Sequence, residues 1–244
     1  MFNFRTEFER VFAEHNITYD VKGIITADKK IYSLGTDSKV LSTVFELLVR
    51  PVIYQTAQQN GLIVQEAKAQ NYYPDFTLMK DESDEQKIAV DVKTTYRSEE
   101  RPKVNFTLGG YTSFIRNETK NIEFPYSQYA EEWVVGFIYK RKSHEDEPNH
   151  IYDLCKLDEI PLPFEDVSWF VARKWKIAGD SAGSGNTANI GSISGDLDDF
   201  KNESGPFQSK DEFLEYWRNY ERTASERDEK YKNLAEFREW RQQT

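Results

Sequence analysis

One cysteine, Cys155, and three histidines, His15, His144 and His150, are all that 244 residues offer to a disulfide or a zinc ion. An internal disulfide needs a second cysteine, and no Cys/His spacing suited to zinc is present. Nor does any apolar run approach membrane-spanning length. Residues Met1 to Glu7 carry acid too early for a secretory signal, so the expected location is cytoplasmic, with no membrane partner. A surplus of positive charge is missing too: 42 acidic against 32 basic residues give a formal net charge of −10. That balance argues against an indiscriminate nucleic-acid binder, because phosphate contacts reward lysine and arginine, yet it is compatible with a cleft of locally positive charge. No Gly-Lys-Ser/Thr follows a glycine-rich run, which excludes a phosphate-cradling P-loop and removes the case for a nucleotide cofactor.

What is present suits a soluble globular chain, with 14% aromatic and 30% charged residues. The length fits one large domain, or a domain with a lobe, able to bury roughly 70–75% of its unfolded surface. Phe4, Phe8, Val11 and Phe12 have helical spacing and read as a core stripe. Val21 to Thr26 and Ile31 to Leu34 flank Asp28-Lys29-Lys30 as a hairpin. Ser38 to Val49 reads as a helix that stops at Arg50-Pro51, with Val40, Val44, Leu47 and Leu48 on its apolar side and Glu46 opposite as a solvated carboxylate. Trp133 to Tyr139 is a buried strand, Lys140 to His150 a polar loop, and Trp169 to Ile177 a further strand. Two helices close the chain. The first opens with a capping box, Ser209-Lys210-Asp211-Glu212, and the second carries Tyr231, Leu234, Phe237 and Trp240.

The segment with most chemistry in it joins Tyr73-Pro74-Asp75-Phe76 to Ile88-Ala89-Val90-Asp91-Val92-Lys93. In a strand the side chains alternate, so Ile88, Val90 and Val92 share one face while Ala89, Asp91 and Lys93 share the other. Asp75 precedes a second short apolar run, and its distance from Asp91 of 91 − 75 = 16 positions suits two neighbouring strands joined by the polar turn Asp81 to Glu85. Two carboxylates could then meet over one cation, with an ammonium beside them. Mg²⁺ favours such hard oxygen ligands together with water and substrate phosphate. On its own, Asp-x-Lys on the wet face of a half-buried strand is also an ordinary surface pattern.

A second feature is the loop Gly179 to Ser192, rich in Gly, Ser and Asn. Its spacing is compatible with a flexible linker, and with base recognition, in which an asparagine amide pairs with adenine N6 and N7. The string Gly179-Asp180-Ser181-Ala182-Gly183 suggests a serine nucleophile, but the histidines sit in a helix and a polar loop.

Longer strings carry a family signal: Lys39 to Thr43, Phe106 to Asn117, Ile177 to Asp180, Gly183 to Thr187 and Tyr216 to Thr223. Nearly the whole chain resembles the EcoRV family of type II restriction endonucleases, within the PD-(D/E)xK nuclease superfamily. The resemblance implies an α/β, restriction-endonuclease-like core: a central mixed β-sheet flanked by helices, with a DNA-recognition lobe and a small dimerisation hairpin. Within a single domain spanning 1–244, it places the hairpin at 19–34, the catalytic core at 35–139 and the recognition lobe with C-terminal helices at 165–244. It implies a homodimer that cuts both strands of double-stranded DNA at GATATC with Mg²⁺, blunt at the central TpA. Asp75 and Asp91 become metal ligands, Lys93 sits beside the scissile phosphate, and Glu46 becomes an accessory acidic residue at the metal rather than a solvated one. Gly183, Ser184, Gly185, Asn186 and Thr187 match the major-groove loop, and Gln70 and Asn71 the minor-groove loop. Asn189, Thr95, Ser113, Lys120, Arg222 and Arg227 match positions of backbone contact or coupling.

Departures from the family pattern are Val92 in place of isoleucine, Ala188 in place of threonine, and the segments Lys140 to Ile151 and Ile193 to Asp196. The acidic balance requires the DNA-binding cleft to be fed by cations such as Arg116, Lys120, Lys174, Arg222 and Arg227. A DNA-binding or structure-specific repair relative without this site preference is the alternative reading.

Overall fold

The computed structural model describes residues 2–142, 151–183 and 188–243. In chain order the elements are α1 (Phe4–His15), β1 (Gly23–Ile25), β2 (Lys30–Ser33), α2 (Ser38–Gln59), β3 (Ile63–Glu66), β4 (Phe76–Met79), β5 (Lys87–Arg97), β6 (Thr107–Gly110) and β7 (Tyr129–Arg141). After them come β8 (Ile151–Asp153), β9 (Phe164–Arg173), α3 (Lys174–Ile177), β10 (Ala178–Ala182), β11 (Asn189–Ser192), α4 (Leu197–Lys201), α5 (Lys210–Asn219), α6 (Ala224–Glu229) and α7 (Leu234–Gln243).

The centre is a five-stranded sheet in the order β3-β4-β5-β7-β9. It is mixed: β5 and β7 run parallel, and the other neighbours run antiparallel. Helices cover it, as the restriction-endonuclease-like α/β reading expects. Along β5 the period-two pattern sorts side chains between two cores. Ile88, Val90 and Val92 pack with α1 and α2, through Phe4, Phe8, Phe45 and Val49. Ala89 faces the other way, toward a second cluster that includes Tyr216, Trp217, Tyr231 and Phe237 of the C-terminal region. β5 is therefore covered on both sides, and Asp91 is only 4% exposed rather than on a wet face. At the partner strand, Gly136 is obligatory, because a Cβ there would meet the Phe170 ring at 2.2 Å. The turn before β5 is pinned from inside by Lys87, wholly buried, whose ammonium donates to Glu82 O and Gln128 Oε1, each at 2.9 Å.

Two small sheets flank the core. One joins the β1–β2 hairpin to β8, and the other runs β10-β11-β6. The Gly/Ser/Asn-rich stretch contributes two paired antiparallel strands, β10 and β11, and Ser184 to Thr187 lie outside the described residues. The polar segment after Lys140 begins within β7, and 143–150 lie outside the described residues as well.

Three expectations are corrected. The first concerns α2, which does not stop at Pro51 but runs through it to Gln59. Proline interrupts a helix at a cost of about 3 kcal/mol. Val52, Ile53 and Ala57 beyond it are fully buried, and at about 1.5–3 kcal/mol for a large apolar side chain their burial outweighs that cost. The buried face is Leu41, Phe45, Val49, Val52 and Ile53, whereas Val40 and Leu47 are exposed. Second, β9 ends at Arg173, and Lys174 to Ile177 form a helical turn. Third, the Ser209 cap is only half of a box: Ser209 Oγ accepts from Glu212 N–H, but the Glu212 carboxylate accepts from Gln208 N–H and Arg238 instead.

Phe45 stacks on Phe137 and Tyr139, with ring centroids 4.9 and 5.3 Å away. Phe45→Ala should therefore cost about 3–5 kcal/mol in denaturant unfolding. Leu47→Ala, on the exposed side of the same helix, should change stability by less than about 0.5 kcal/mol.

Candidate active site

The register of β4 against β5 pairs Phe76 with Val90. The residue before Phe76 and the residue after Val90 consequently meet. Asp75 N–H donates to Asp91 Oδ1 at 3.3 Å, and Asp75 Oδ2 accepts from Val92 N–H at 2.7 Å. Lys93, on the same face as Asp91, brings its Nζ to 3.0 Å from Asp91 Oδ2 and 3.6 Å from Asp75 Oδ2. The side chains are 27% (Asp75), 5% (Asp91) and 23% (Lys93) exposed.

Two anions against one cation leave a formal charge of −1 in a half-enclosed place. Burial pushes the Asp75 carboxyl up to about 6; Asp91 and Glu46 add to the rise, while Lys93 and the Val92 N–H oppose it. Burial alone would lower Lys93, but attraction to Asp75 and Asp91 wins and raises it above its ordinary value. Among the described residues, no three His, Cys, Asp or Glu side chains cluster as a ready-made metal cage.

Asp75 and Lys93 open into a cleft of about 860 Å³, with Asp91 buried beside them. Glu46, Gln70, Asp75, Lys93 and Thr95 all line it. Glu46 arrives on α2 at the end of a polar stripe, Ser38, Ser42 and Glu46 at spacing four, which all face the cleft. That spacing is the signal in the sequence that a stripe drawn through Leu47 and Leu48 concealed. Glu46 lies 3.8 Å from Arg50, which also pairs with Glu66 at 3.2 Å. Lys39, Arg101 and Lys103 are cleft cations that the sequence reading did not select.

Other expected positions lie elsewhere. Asn71 is exposed in the turn beside Gln70. Gly183 N–H donates to Asn189 O at 2.8 Å, closing the described base of the β10–β11 hairpin, and Asn189 is opposite Gly110 of β6. Ser113 Oγ donates to the Lys120 carbonyl at 2.8 Å, and the Lys120 side chain is exposed. Arg222 is exposed, while Arg227 donates to the Glu221 and Arg222 carbonyls at 3.0 and 2.6 Å. Lys174 is corrected outright. It is 1% exposed and faces Glu132, so it is no cation of an open cleft. Arg116 donates to the Trp217 and Tyr220 carbonyls.

A mixed sheet carrying Asp-x-Lys on its inner strand beside a second aspartate is the restriction-endonuclease-like fold. Comparison with known families agrees: the model described as restriction endonuclease EcoRV matches residues 15–242, and the chain belongs to that family. It is 52% identical to the type II restriction enzyme EcoRV of Escherichia coli over 236 residues, 97% of this chain and 96% of that enzyme. The protein is a type II restriction endonuclease, a site-specific deoxyribonuclease that hydrolyses phosphodiester bonds.

A carboxyl whose folded-state value lies above its unfolded one holds its proton more tightly in the native protein. Its contribution to stability is therefore present at low pH and lost as pH rises through about 6. Carbon-13 NMR of the metal-free protein should show Asp75 titrating with a midpoint of about 6. Lys93→Met should move that midpoint higher; a wild-type midpoint near the ordinary carboxylate range would show the site to be solvated.

Proposed function

We propose that Asp75 and Asp91 hold Mg²⁺ at the floor of this cleft, and that the enzyme there cuts both strands of double-stranded DNA at GATATC, blunt at the central TpA. The observation that carries this reading is the Lys93 ammonium lodged between two carboxylates that share one hydrogen-bonded strand pair. The donor set fits: Mg²⁺ is commonly held by one or two carboxylates, with water and substrate phosphate completing its shell. When bound, it neutralises charge on the phosphate under attack and lowers the pKa of nearby water. Asp75 and Asp91 keep their oxygens fixed through backbone N–H groups. Lys93 offers a positive charge to the same phosphate. Glu46, at the cleft wall, adds negative potential that draws a cation inward.

Recognition falls to Ser184, Gly185, Asn186 and Thr187, which follow β10 in sequence, and to Gln70 and Asn71 on the minor-groove side. An asparagine amide can pair bidentately with adenine in the major groove, worth about 1–3 kcal/mol of discrimination. TpA is a flexible step, so bending the duplex there costs less than elsewhere. Thr95, Ser113, Lys120, Asn189, Arg222 and Arg227 serve as backbone contacts or couplers, joined by the cleft cations Lys39, Arg101 and Lys103 in place of Lys174.

A palindrome is most simply read by a two-fold dimer. The small sheet offers a surface for a second copy: Ile24, Ile25, Tyr32 and Ile151 are 61%, 63%, 46% and 57% exposed. This patch is the dimer contact of a single domain spanning 1–244. No described helix is long and apolar enough to cross a membrane.

Plasmid digestion with Mg²⁺, followed by sequencing of the ends, should return GATATC cut at its middle. Nicking without a site, or binding without cutting, would instead indicate a structure-specific or silent relative. Asp91→Ala and Lys93→Ala should lose cutting while keeping the wild-type circular dichroism spectrum. Light scattering should give twice 28.6 kDa. Ile24→Glu with Ile151→Glu should lower that mass to one chain.

A further inference from the structure

A second group of buried charges lies beside Asp91 on the same face of the central sheet and has no part in the chemistry proposed so far. Glu132 of β7 and Lys174, the first residue of α3, are 2% and 1% exposed at their side chains, and Lys174 Nζ is 3.2 Å from Glu132 Oε2. The same carboxylate accepts from the Tyr73 hydroxyl at 2.8 Å and, through Oε1, from the Tyr126 hydroxyl at 2.6 Å; Lys210 lies 3.5 Å from Oε1. Lys174 Nζ also sits over the rings of Tyr73 and Phe114, 4.2 and 4.7 Å from their centroids, and those two rings stack at 4.1 Å.

The location matters as much as the contacts. Tyr73 is two residues before Asp75. Lys174 opens the short turn that leads straight into β10, the first strand of the hairpin assigned to base recognition. Glu132 is opposite Ala89 on β5, two residues from Asp91 and on the same face. One carboxylate thus ties the start of the Asp75 segment, the root of the recognition hairpin and the strand next to Asp91. Burial by itself would raise the Glu132 carboxyl, but Lys174, Lys210 and the two tyrosine hydroxyls hold it below its ordinary value, so it remains an acceptor for Lys174, Tyr73 and Tyr126, with Lys210 as a further ion-pair partner. Tyr73, pushed well up by burial and by Glu132, keeps its proton as donor.

We infer that Glu132 is a positioning residue for DNA cleavage, holding Asp75 in place through the Tyr73 hydroxyl and fixing the root of the β10–β11 hairpin to the same point through Lys174. The inference rests on the proposed role of Asp75 and Asp91. Removing one member of a buried ion pair destabilises a protein, whereas replacing both by apolar residues is often neutral. If the pair served stability alone, kcat would follow the melting temperature across these variants, whereas a positioning pair loses kcat even where melting temperature is regained.

The experiment measures melting temperature together with kcat and KM for a short duplex containing GATATC, at saturating Mg²⁺, for four variants. Glu132→Leu should lower both the melting temperature and kcat. Glu132→Leu with Lys174→Met should regain part of the melting temperature, the remainder being lost with the acceptor of the Tyr73 and Tyr126 hydroxyls, while kcat stays at least ten-fold down and KM within about three-fold of wild type. Tyr73→Phe keeps the ring stack and the ion pair and removes only the link to Asp75. It should lower kcat about ten-fold with little change in melting temperature or KM. Wild-type kcat in Tyr73→Phe would overturn the proposal, whether or not the double variant folds. Asp91→Ala distinguishes the two levels: if it still cuts, the site assignment has failed, and if it is dead while Tyr73→Phe is fully active, only the positioning role has failed.

Discussion

Backbone register forces Asp75 and Asp91 together, and the Lys93 ammonium is the charge that lets them stay there. Like charges at this separation in a partly dry place repel, and burial raises the cost further. The β4–β5 ladder fixes the two carboxylates, since each accepts a backbone N–H from the partner segment, and the side-chain alternation of β5 fixes the lysine. Everything else in the molecule keeps that short piece of ladder rigid. α1 and α2 cover one side of β5, and the aromatic cluster of the C-terminal region covers the other. Lys87 closes the turn that joins the two strands.

How much of this was legible in the chain depends on whether a feature is local. The strand carrying Asp91 and Lys93 declares itself because its period is two and its neighbours are β-branched. The cap at Ser209 and the stripe Phe4, Phe8, Val11, Phe12 are equally local, and both are found where the spacing puts them. Pro51 misled because a proline penalty is a local quantity, whereas the burial of Val52, Ile53 and Ala57 that overrides it is set by the rest of the fold. Ending α2 at Pro51 also misplaces its buried face, which the structure sets at Leu41, Phe45 and Val49, while Glu46 stays 37% exposed at the cleft.

The charged residues were the hardest to place. Lysine looks the same in a sequence whether it meets DNA or a buried glutamate. Lys174 meets Glu132, 42 residues away in the chain, and Lys87 meets backbone carbonyls of its own turn. Arg116, one of the cations assigned to DNA, spends its guanidinium on the carbonyls of Trp217 and Tyr220 at the end of α5. Long-range partners of this kind leave no periodic trace. The family strings single out the Gly179–Ser192 stretch where periodicity does not, because a run of glycine, serine and asparagine has no repeat to follow.

The small sheet has a further consequence, which concerns folding order. Its first two strands are neighbours in sequence, but its third, Ile151–Asp153, returns to pair Tyr32 with Ile151 only after the chain has passed through β3 to β7. Closing so long a loop is entropically unfavourable until the central sheet has brought its ends together. Ile151, Leu154 and Leu157 therefore join Ile24, Ile25 and Tyr32 late, and the exposed apolar surface is completed only on a chain whose catalytic sheet already stands. Such timing leaves an unfinished chain without its complete apolar face until the central sheet is in place.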